Sequence, residues 1–309
     1  MTVPGDSAAT QVIRRSRVAQ ESSEVIAART VGAFRHLTLV APGVAESAGP
    51  GQLVAVAVGG PGAELPLRRL VLLHRATPSG AYGGTVELVI DPADPTTAWL
   101  AARRPHDQID VVGPLGRRFP LPSEALPCVV VGEGAGGGAL LWLAEVLRTR
   151  GCRVDLVLGG ESARRLLGFV DARRLCDGVT VTTLDGSAGV HGEPADVLPT
   201  LLERSRAAVV YAAGPLSLLR ATAAAAERAG AVSMVAVNGP GGSVAGCGTG
   251  LCAGCVVPVR DEGGGVTHLV RSCTEGPVLR GDRVRWDALV DGRWRIPSDA
   301  RSAAPHQGE

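Results

Sequence analysis

The segment Cys128-Val-Val-Val-Gly-Glu-Gly-Ala-Gly-Gly-Gly-Ala-Leu140 decides the fold, because an apolar strand there runs into a glycine-rich turn, Gly132–Gly138. A helical stretch, Ala139–Arg150, follows the turn directly. Further strands and helices then alternate with short connections, at Val154–Leu158, Ser162–Phe169, Val179–Thr183, Pro194–Arg204, Ala208–Ala212 and Pro215–Ala229. This alternation predicts a parallel, doubly wound sheet.

The chain before this segment predicts a different architecture. Between residues 11 and 122, short apolar runs are separated by turn signals such as Pro50-Gly51 and Gly83-Gly84. The candidate strands are Leu37–Val40, Leu53–Val58, Leu70–His74, Val86–Ile90 and Ile109–Val112, with a short helix at Ala98–Arg104. Short strands at this spacing predict a small antiparallel barrel or sandwich.

The rest of the chain, from about Met234, is rich in glycine and carries a group of four cysteines, with a candidate strand at Val266–Val270. The expected fold class is therefore multidomain, with an antiparallel β-barrel, a doubly wound α/β domain and a small C-terminal domain. The expected boundaries are a tail over 1–10, the barrel over 11–122, the α/β domain over 123–233, the cysteine-bearing domain over 234–297 and a polar tail over 298–309.

Composition excludes several classes of function. The 31 basic residues are all Arg and are balanced by 30 acidic residues, for a net charge of +1, so no overall field attracts nucleic acid or an anionic membrane. Aromatic residues make up 3%, too few for surfaces that stack single-stranded nucleic acid. The apolar runs are too short for a membrane span or a signal peptide. We therefore expect a cytoplasmic protein with neither a nucleic-acid nor a membrane partner.

The most specific motif consists of Cys247, Cys252, Cys255 and Cys273, in a C-x4-C-x2-C pattern with the fourth cysteine after 17 further residues. This is the spacing of the plant-type [2Fe–2S] site, in which four thiolates hold the cluster. Glycines between the cysteines allow unusual backbone dihedrals and bring N–H groups toward the sulfurs. A structural zinc site is the alternative, although zinc ligands usually come in close C-x2–4-C pairs.

The glycine-rich turn is a candidate nucleotide site. Gly134 and Gly136 lie between a strand and a helix, where backbone N–H groups and the helix dipole favour a phosphate. Gly214 ends a later strand at the sheet edge where ligands bind in such folds. Both turns also have a plain structural explanation, namely close packing and a proline at the start of a helix. The carboxylate of Glu133 would repel a bound pyrophosphate unless it points away from it.

A pair of arginines, Arg68 and Arg69, begins a candidate strand of the barrel. Two guanidinium groups at such a place can clamp a diphosphate through paired N–H donors. A solvated sheet edge is the alternative explanation of the same charges.

Taken together, these motifs resemble one family, the electron-transfer subunit of the NAD-linked (class 1B) dihydroorotate dehydrogenase within the ferredoxin reductase superfamily. The resemblance runs from about Val25 to Leu289. The matching segments are Pro50–Leu53, Asp107–Gly116, Val131–Leu140, Thr183–Gly192, Tyr211–Pro215, Cys247–Cys255 and Cys273–Val278. The last two are highly specific in combination.

The resemblance implies a chain of carriers. A flavin-dependent catalytic subunit on a (β/α)8 barrel would supply electrons to the [2Fe–2S] centre, and FAD would collect two of them and pass a hydride to NAD. The subunits would form a heterotetramer, usually in pyrimidine synthesis. The four cysteines would be the iron ligands, Arg69 would bind the FAD diphosphate, and Gly134, Gly136 and Gly214 would shape the NAD site. No acid–base catalyst is implied, because these transfers depend on positioning.

The chain departs from the family pattern in both FAD segments. Leu70 and Leu72 stand where the family has a proline and a hydroxyl residue, and Thr96-Thr97 stands where it has Gly-Thr. A side chain at position 96 would crowd the backbone approach that glycine allows. Replacements in the nucleotide domain are Glu133 for Gly, Ala139 for Pro and Ala213 for Cys.

Two hypotheses follow from the motifs and the departures. The first is an oxidoreductase component that uses the [2Fe–2S] cluster, FAD and NAD. The second is a non-enzymatic accessory or relay subunit, which keeps the cluster, has lost NAD or FAD binding and serves a different partner oxidoreductase. Flavin content distinguishes them. A redox sensor is a third possibility, but the sequence has no helix-turn-helix pattern or basic patch to support it.

Overall fold

The computed structural model of the protein describes residues 17–59, 68–94, 97–238 and 243–302. Two seven-stranded sheets dominate these ranges, one in an N-terminal barrel and one in an α/β domain. Thr96, the tail over 1–10 and the end of the chain from residue 303 lie outside the described residues.

Six antiparallel strands form the barrel, with two short helices between them. They are β1 (Ala19–Val31), β2 (Phe34–Val40), α1 (Pro42–Ala45), β3 (Leu53–Val56), β4 (Arg68–Thr77), β5 (Thr85–Ile90), α2 (Ala98–Ala101) and β6 (Gln108–Leu115). The pairing follows β1–β2–β5–β4–β3–β6 and returns from β6 to β1, which closes the ring. Buried aliphatic side chains such as Leu37, Val54 and Leu88 fill its interior. The predicted barrel is confirmed.

The α/β domain alternates as predicted. Its elements are β7 (Pro127–Glu133), α3 (Gly134–Thr149), β8 (Arg153–Gly160), α4 (Phe169–Leu175), β9 (Gly178–Thr183), β10 (Val190–His191), α5 (Pro194–Ser205), β11 (Val209–Ala213), α6 (Leu216–Arg228) and β12 (Val232–Ala236). The sheet order is β10-β9-β8-β7-β11-β12, all parallel. The strand order reverses between β7 and β11, and such a reversal opens a crevice at the carboxyl edge of the sheet.

The C-terminal region contributes strands to both large sheets. It contains β13 (Ser243–Gly246), β14 (Val256–Arg260), β15 (Thr267–Arg271), β16 (Val278–Arg280), β17 (Leu289–Val290), β18 (Arg293–Trp294) and β19 (Ala300–Ser302). β13 pairs antiparallel with β4 of the barrel, and β16 pairs antiparallel with β12 of the α/β sheet. The cysteine-bearing region is therefore joined by backbone hydrogen bonds to both neighbouring domains.

Ion pairs and a backbone hydrogen bond connect the barrel to the α/β domain. Arg75 on β4 pairs with Glu145 on α3, and Arg165 after β8 pairs with Asp91 after β5. The backbone N–H of Ala33 donates to the carbonyl of Arg164 over 2.8 Å. These contacts fix the two domains against each other.

Two sequence-based expectations about helices are wrong. The helix expected over Ser162–Phe169 is replaced by a 3-10 turn at Ala163–Arg165, and α4 begins only at Phe169. Gly168 interrupts the segment because it adopts a left-handed conformation with φ of 73°, which glycine tolerates at little cost. The helix after β7 begins five residues early, at Gly134, because the glycines expected to form a turn form its first turns instead.

The strand β1 escaped sequence analysis although it is the longest in the barrel. Its sequence, AQESSEVIAARTV, is mostly polar, and only Ser23 and Val25 are fully buried. A strand of this kind owes its place to backbone pairing with β2 and β6 rather than to an apolar pattern, so hydrophobic periodicity does not reveal it.

We predict that Gly132→Ala destabilises the protein by about 2 kcal/mol, the usual size of an overpacking cost. A Cβ at position 132 would lie 2.5 Å from the Cα of Gly137, so the strand and the helix would have to move apart. Urea unfolding followed by circular dichroism measures the change. Gly265→Ala is the matched control, because a Cβ there meets nothing within 4 Å in the described part of the chain; equal destabilisation of the two variants would contradict the packing argument.

Candidate functional site

The cysteine loop begins where β13 ends, at the edge of the barrel. In the pairing of β13 with β4, Ala245 lies opposite Arg69 and Gly246 opposite Arg68, and Cys247 follows at once. Cys255 and Cys273 are buried, Cys252 is exposed and Cys247 is partly exposed. The neighbouring Leu251 is 87% exposed, so the loop presents two of its cysteines and an apolar side chain at the surface.

Backbone N–H groups surround the two outer sulfurs. The Sγ of Cys247 accepts hydrogen bonds from the N–H groups of Thr249, Leu251 and Cys252 over 3.3–3.4 Å. The Sγ of Cys252 accepts from Cys247 and Gly254 over similar distances. Although partial burial raises the pKa of Cys247, the hydrogen bonds from Thr249 and Cys252 outweigh it and lower that pKa to about 6. The loop therefore stabilises thiolates before any metal is considered.

The two inner cysteines form a second pair. A hydrogen bond from the Cys273 thiol lowers the pKa of Cys255 to about 7, and the same bond together with burial raises the pKa of Cys273. The turn that carries Cys273 is held by the backbone N–H of Ser272, which donates to the carbonyl of Cys255 over 3.0 Å. The four predicted ligands are thus brought together as an outer pair and an inner pair.

This arrangement fits an iron–sulfur cluster better than a single zinc ion. In a tetrahedral zinc site with Zn–S bonds of about 2.3 Å, the sulfurs lie about 3.8 Å from one another. Over the ranges that the structure describes, no three of the four cysteine sulfurs lie within 4.8 Å of one another. Two separate pairs of sulfurs suit two irons, and the inward N–H groups suit the negative charge of the cluster's thiolates.

The cysteine loop packs directly on the predicted FAD strand. A Cβ at Gly246 would lie 2.9 Å from Leu70 Cδ1, and a Cβ at Gly248, whose φ is +76°, would lie 3.0 Å from Ala55 and 3.1 Å from Leu115. The absence of side chains at these two glycines therefore lets the loop lie against β3, β4 and β6. This close approach places the cysteine site beside the strand that carries Arg69.

The predicted FAD residues lie on β4 and at the start of α2. Leu70 and Leu72 are buried in the core cluster that joins the barrel to the α/β domain, whereas Arg69 is partly buried. The Thr97 hydroxyl is buried and donates to the carbonyl of Asp91 over 3.1 Å. That hydroxyl stabilises its own turn. Thr96 falls outside the described residues.

The predicted nucleotide residues meet at the carboxyl edge of the α/β sheet. A Cβ at Gly136 would lie 2.9 Å from the backbone nitrogen of Gly214, so these two glycines let the turns after β7 and β11 touch. Gly134, the first residue of α3, has φ of +60° and open space around it. The residues at this edge form a cleft lined by Glu133, Gly160, Leu184, Gly192, Glu193, Pro194, Ser217 and Leu218.

The electrostatics of this cleft were only partly evident from the sequence. Burial, followed by the carboxylates of Glu193 and Glu161, raises the pKa of Glu133 above its usual range. Glu161 follows β8, and Glu193 caps the amino end of α5 in a capping box with Asp196. The sequence pattern around Glu193 indicated that this residue begins a helix. Its proximity to Glu133 was not predictable, because it depends on the sheet order. Three carboxyl groups at this edge oppose an anionic ligand.

Known proteins match both the cysteine region and the whole chain. The iron–sulfur cluster binding domain of dihydroorotate dehydrogenase B matches residues 243–285. The protein named dihydroorotate dehydrogenase B (NAD(+)), electron transfer subunit, from Bacillus caldolyticus is 34% identical over 279 residues, which cover 88% of this chain and 99% of the relative. This chain belongs to that family. Another member, from Desulforamulus reducens, is 29% identical over 82% of this chain and 92% of its own length.

Solved structures agree with the family. A structure of the NADH-dependent reduced ferredoxin–NADP oxidoreductase, reported for its insights into flavin-based electron bifurcation, has a TM-score of 0.73 and 27% identity, covering 86% of this chain and 91% of that one. The ferredoxin reductase of carbazole 1,9a-dioxygenase shares the fold, with a TM-score of 0.59 and 21% identity over 73% of this chain and 70% of its own. Within the described residues, no helix has the length and apolar character that a membrane span requires.

We predict that Glu133→Gln stabilises the protein at neutral pH. Because the folded chain holds the Glu133 proton more tightly than the unfolded chain, the free energy of unfolding falls as pH rises from the ordinary carboxyl pKa of 4.5 through the raised pKa of Glu133. The Gln variant lacks this fall, so its urea midpoint should exceed that of the native chain at pH 7.5 and match it at pH 4.5.

The control for this comparison is Glu203→Gln, which removes an exposed carboxyl group from the same domain. It should follow the native pH profile. Parallel profiles for the native chain and the Glu133 variant would show that burial does not hold the proton on Glu133.

Proposed function

We propose that the chain transfers electrons between a partner dehydrogenase and NAD(H) by way of a [2Fe–2S] cluster and FAD. The observation that carries this proposal is the pairing of β13 with β4, which joins the cysteine loop to the predicted FAD strand. When bound, the cluster carries single electrons, and FAD links these to the hydride chemistry of NAD. Membership of the family of dihydroorotate dehydrogenase B (NAD(+)) electron transfer subunits supports electron transfer involving NAD(H).

The four cysteines are proposed as the iron ligands, with Cys247 and Cys252 on one iron and Cys255 and Cys273 on the other. This division follows the outer and inner pairs, each joined by a hydrogen bond to sulfur. The N–H groups around Cys247 stabilise charge on its sulfur, and burial of the inner pair keeps water away from that side of the site.

The FAD site is proposed to lie along β4. Arg69 binds the diphosphate, Leu70 and Leu72 pack near the flavin, and Thr97 at the start of α2 belongs to the same proposed FAD set. Thr96, which lies outside the described residues, is proposed with them from the sequence alone. The apolar side chains at 70 and 72 supply packing but no hydrogen bond. The backbone of β4 is paired here with β3 and, as far as Val71, with β13, so polar contacts to the isoalloxazine ring must come from other residues.

The NAD site is proposed at the carboxyl edge of the α/β sheet. Gly134 and Gly136 bring the first turn of α3 close to the dinucleotide. Gly214 lets the dinucleotide approach the turn after β11. The amino end of α3 favours a phosphate through its dipole. Glu133, Glu161 and Glu193 act in the opposite direction, which favours a ligand without additional phosphate charge at this edge.

The proposed partner is the catalytic subunit of a flavin-dependent dehydrogenase on a (β/α)8 barrel, assembled with this chain as a heterotetramer in the cytoplasm. Exposed Cys252 and Leu251 mark the face where that subunit approaches the cluster. The proposed units of this chain are the barrel over 11–122, the α/β domain over 123–233 and the cluster domain over 234–297.

A second candidate function is an accessory relay without NAD or FAD, serving another oxidoreductase. The specific observations in its favour are the buried apolar side chains of Leu70 and Leu72 and the three carboxyl groups in the nucleotide cleft. One experiment separates the two functions, namely a visible spectrum of the anaerobically purified chain before and after acid release of flavin. The proposed function predicts iron–sulfur bands together with released FAD. Iron–sulfur bands without flavin would contradict the proposal in favour of the relay.

We predict that Cys252→Ala lowers iron content at least tenfold, because one iron loses a thiolate and the loop loses the acceptor for two N–H groups. Elemental analysis of the purified protein measures iron per chain. Cys176→Ala is the matched control, because Cys176 is partly buried between α4 and β9, away from the cluster loop. Unchanged iron in the Cys252 variant would refute its assignment as a ligand.

We also predict that Arg69→Ala weakens FAD binding at least tenfold, since a charge-assisted contact to the diphosphate is lost. Fluorescence titration of flavin-depleted protein measures the affinity. Arg68→Ala is the comparison, because Arg68 is the neighbouring residue on the strand and its Nη1 pairs with Asp110 Oδ1 at 2.5 Å. If both variants bind FAD like the native chain, the diphosphate lies elsewhere.

A further inference from the structure

Three side chains of metal-ligand type meet on the barrel, away from the cysteines. They are His36 on β2, His74 on β4 and Glu87 on β5, and one ligand atom from each lies within 4.8 Å of the other two. His36 Nε2 lies 3.0 Å from Glu87 Oε2, and the two imidazole rings meet edge to face with centroids 5.0 Å apart. The proposed electron transfer assigns no role to this cluster.

The cluster is produced by a β-bulge. In the pairing of β4 with β5, Leu73 lies opposite Leu88 and Arg75 opposite Glu87, so His74 is the extra residue on β4. A bulge redirects the side chain of its extra residue relative to the regular pleat. Here it brings the imidazole of His74 into contact range of Glu87 on the adjacent strand β5 and of His36 on β2, which pairs with the other side of β5.

The cluster is partly buried, and one of its ring nitrogens has no hydrogen-bond partner among the described residues. The side chains of His36 and Glu87 are 22% and 23% exposed. The Nδ1 atom of His74 is buried and has no hydrogen-bond partner among the described residues. An unpaired buried ring nitrogen is costly, and a bond from His74 to a metal ion held also by His36 and Glu87 would remove that cost.

We propose that His36, His74 and Glu87 bind one divalent first-row transition-metal ion. Two imidazoles and one carboxylate favour such an ion over magnesium or calcium, which prefer oxygen ligands. Three protein ligands leave a further position for water. The ligand atoms now lie up to 4.8 Å apart. Small rotations of the side chains would bring them to the shorter separations found around a bound ion.

The ion would strengthen the barrel where it faces α3. It would link β2, β4 and β5 through their side chains. A Cβ at Gly138 of α3 would lie 2.9 Å from His74 Nδ1, so the helix packs against the site. Arg75, next to His74, pairs with Glu145 of α3. Metal binding would therefore stabilise the barrel and its contact with the α/β domain together.

The site is separate from the cysteine site. β13 and the cysteine loop lie beside the first residues of β4, at Arg68–Val71, whereas His74 is five residues beyond Arg69. At a rise of about 3.3 Å per residue, this corresponds to roughly 16 Å along the strand. An ion at the histidines can therefore be distinguished from zinc that has entered the cysteine loop.

The experiment uses the full chain with its iron retained. Chelator-treated protein is dialysed against Zn²⁺, a redox-silent probe, and zinc and iron are both counted by elemental analysis. We expect one zinc per chain with no loss of iron. His36→Gln and Glu87→Gln, which approximately preserve side-chain size, should each lower zinc affinity at least tenfold. His106→Gln should not, although His106 Nδ1 lies 2.8 Å from Glu24 in an exposed pair.

The ligand atoms provide a second measurement. X-ray absorption at the zinc edge should show nitrogen and oxygen neighbours at about 2.0–2.1 Å, with no sulfur at about 2.3 Å. Native affinity in both the His36 and Glu87 variants would overturn the proposal. Zinc uptake matched by iron release, or sulfur neighbours around zinc, would overturn it as well, because the zinc would then occupy the cysteine site.

Discussion

The pairing of β13 with β4 is the constraint on which the functional arrangement depends. Backbone hydrogen bonds hold Val244 opposite Leu70 and Ala245 opposite Arg69, so the cysteine loop that follows cannot move away from the barrel without breaking a ladder. Gly246 and Gly248 then allow the loop to lie on the buried side chains of β3, β4 and β6. At the other end of the C-terminal region, β16 pairs with β12. One segment of chain thus joins the cysteine loop, the barrel strand proposed for FAD and the α/β sheet.

The two ends of this arrangement differ in their electrostatics. At the cysteine loop, inward N–H groups stabilise negative sulfur and lower the pKa of Cys247. At the nucleotide edge, partly buried Glu133 lies near two further carboxyl groups, and its pKa rises. The first end is well matched to an anionic cluster, whereas the second weakens the attraction for a dinucleotide that the amino end of α3 supplies. This contrast accounts for both functions considered, with the complete carrier chain favoured by the family as a whole.

Local patterns were sufficient to predict most of the fold and the region that matches an iron–sulfur cluster binding domain. β7 is apolar along almost its whole length because both its faces are buried, and four cysteines at a fixed spacing within one region define their own site. Features that depend on distant segments were not predictable. The polar strand β1, the addition of β13 to the barrel and the proximity of Glu161 and Glu193 to Glu133 all arise from sheet order. His36, His74 and Glu87 converge only because β4 carries a bulge, which no local pattern indicated.

The central claim is that one chain holds the cluster loop and the flavin strand in fixed contact, so electron transfer between them occurs within a single molecule. Anaerobic stopped-flow mixing with NADH, followed at the visible bands of the iron–sulfur centre, tests this claim most directly. The account predicts that the cluster bleaches with a first-order rate that does not change when the protein concentration is varied tenfold. A rate that rises with protein concentration, or a cluster that NADH leaves oxidised in flavin-replete protein, would contradict it.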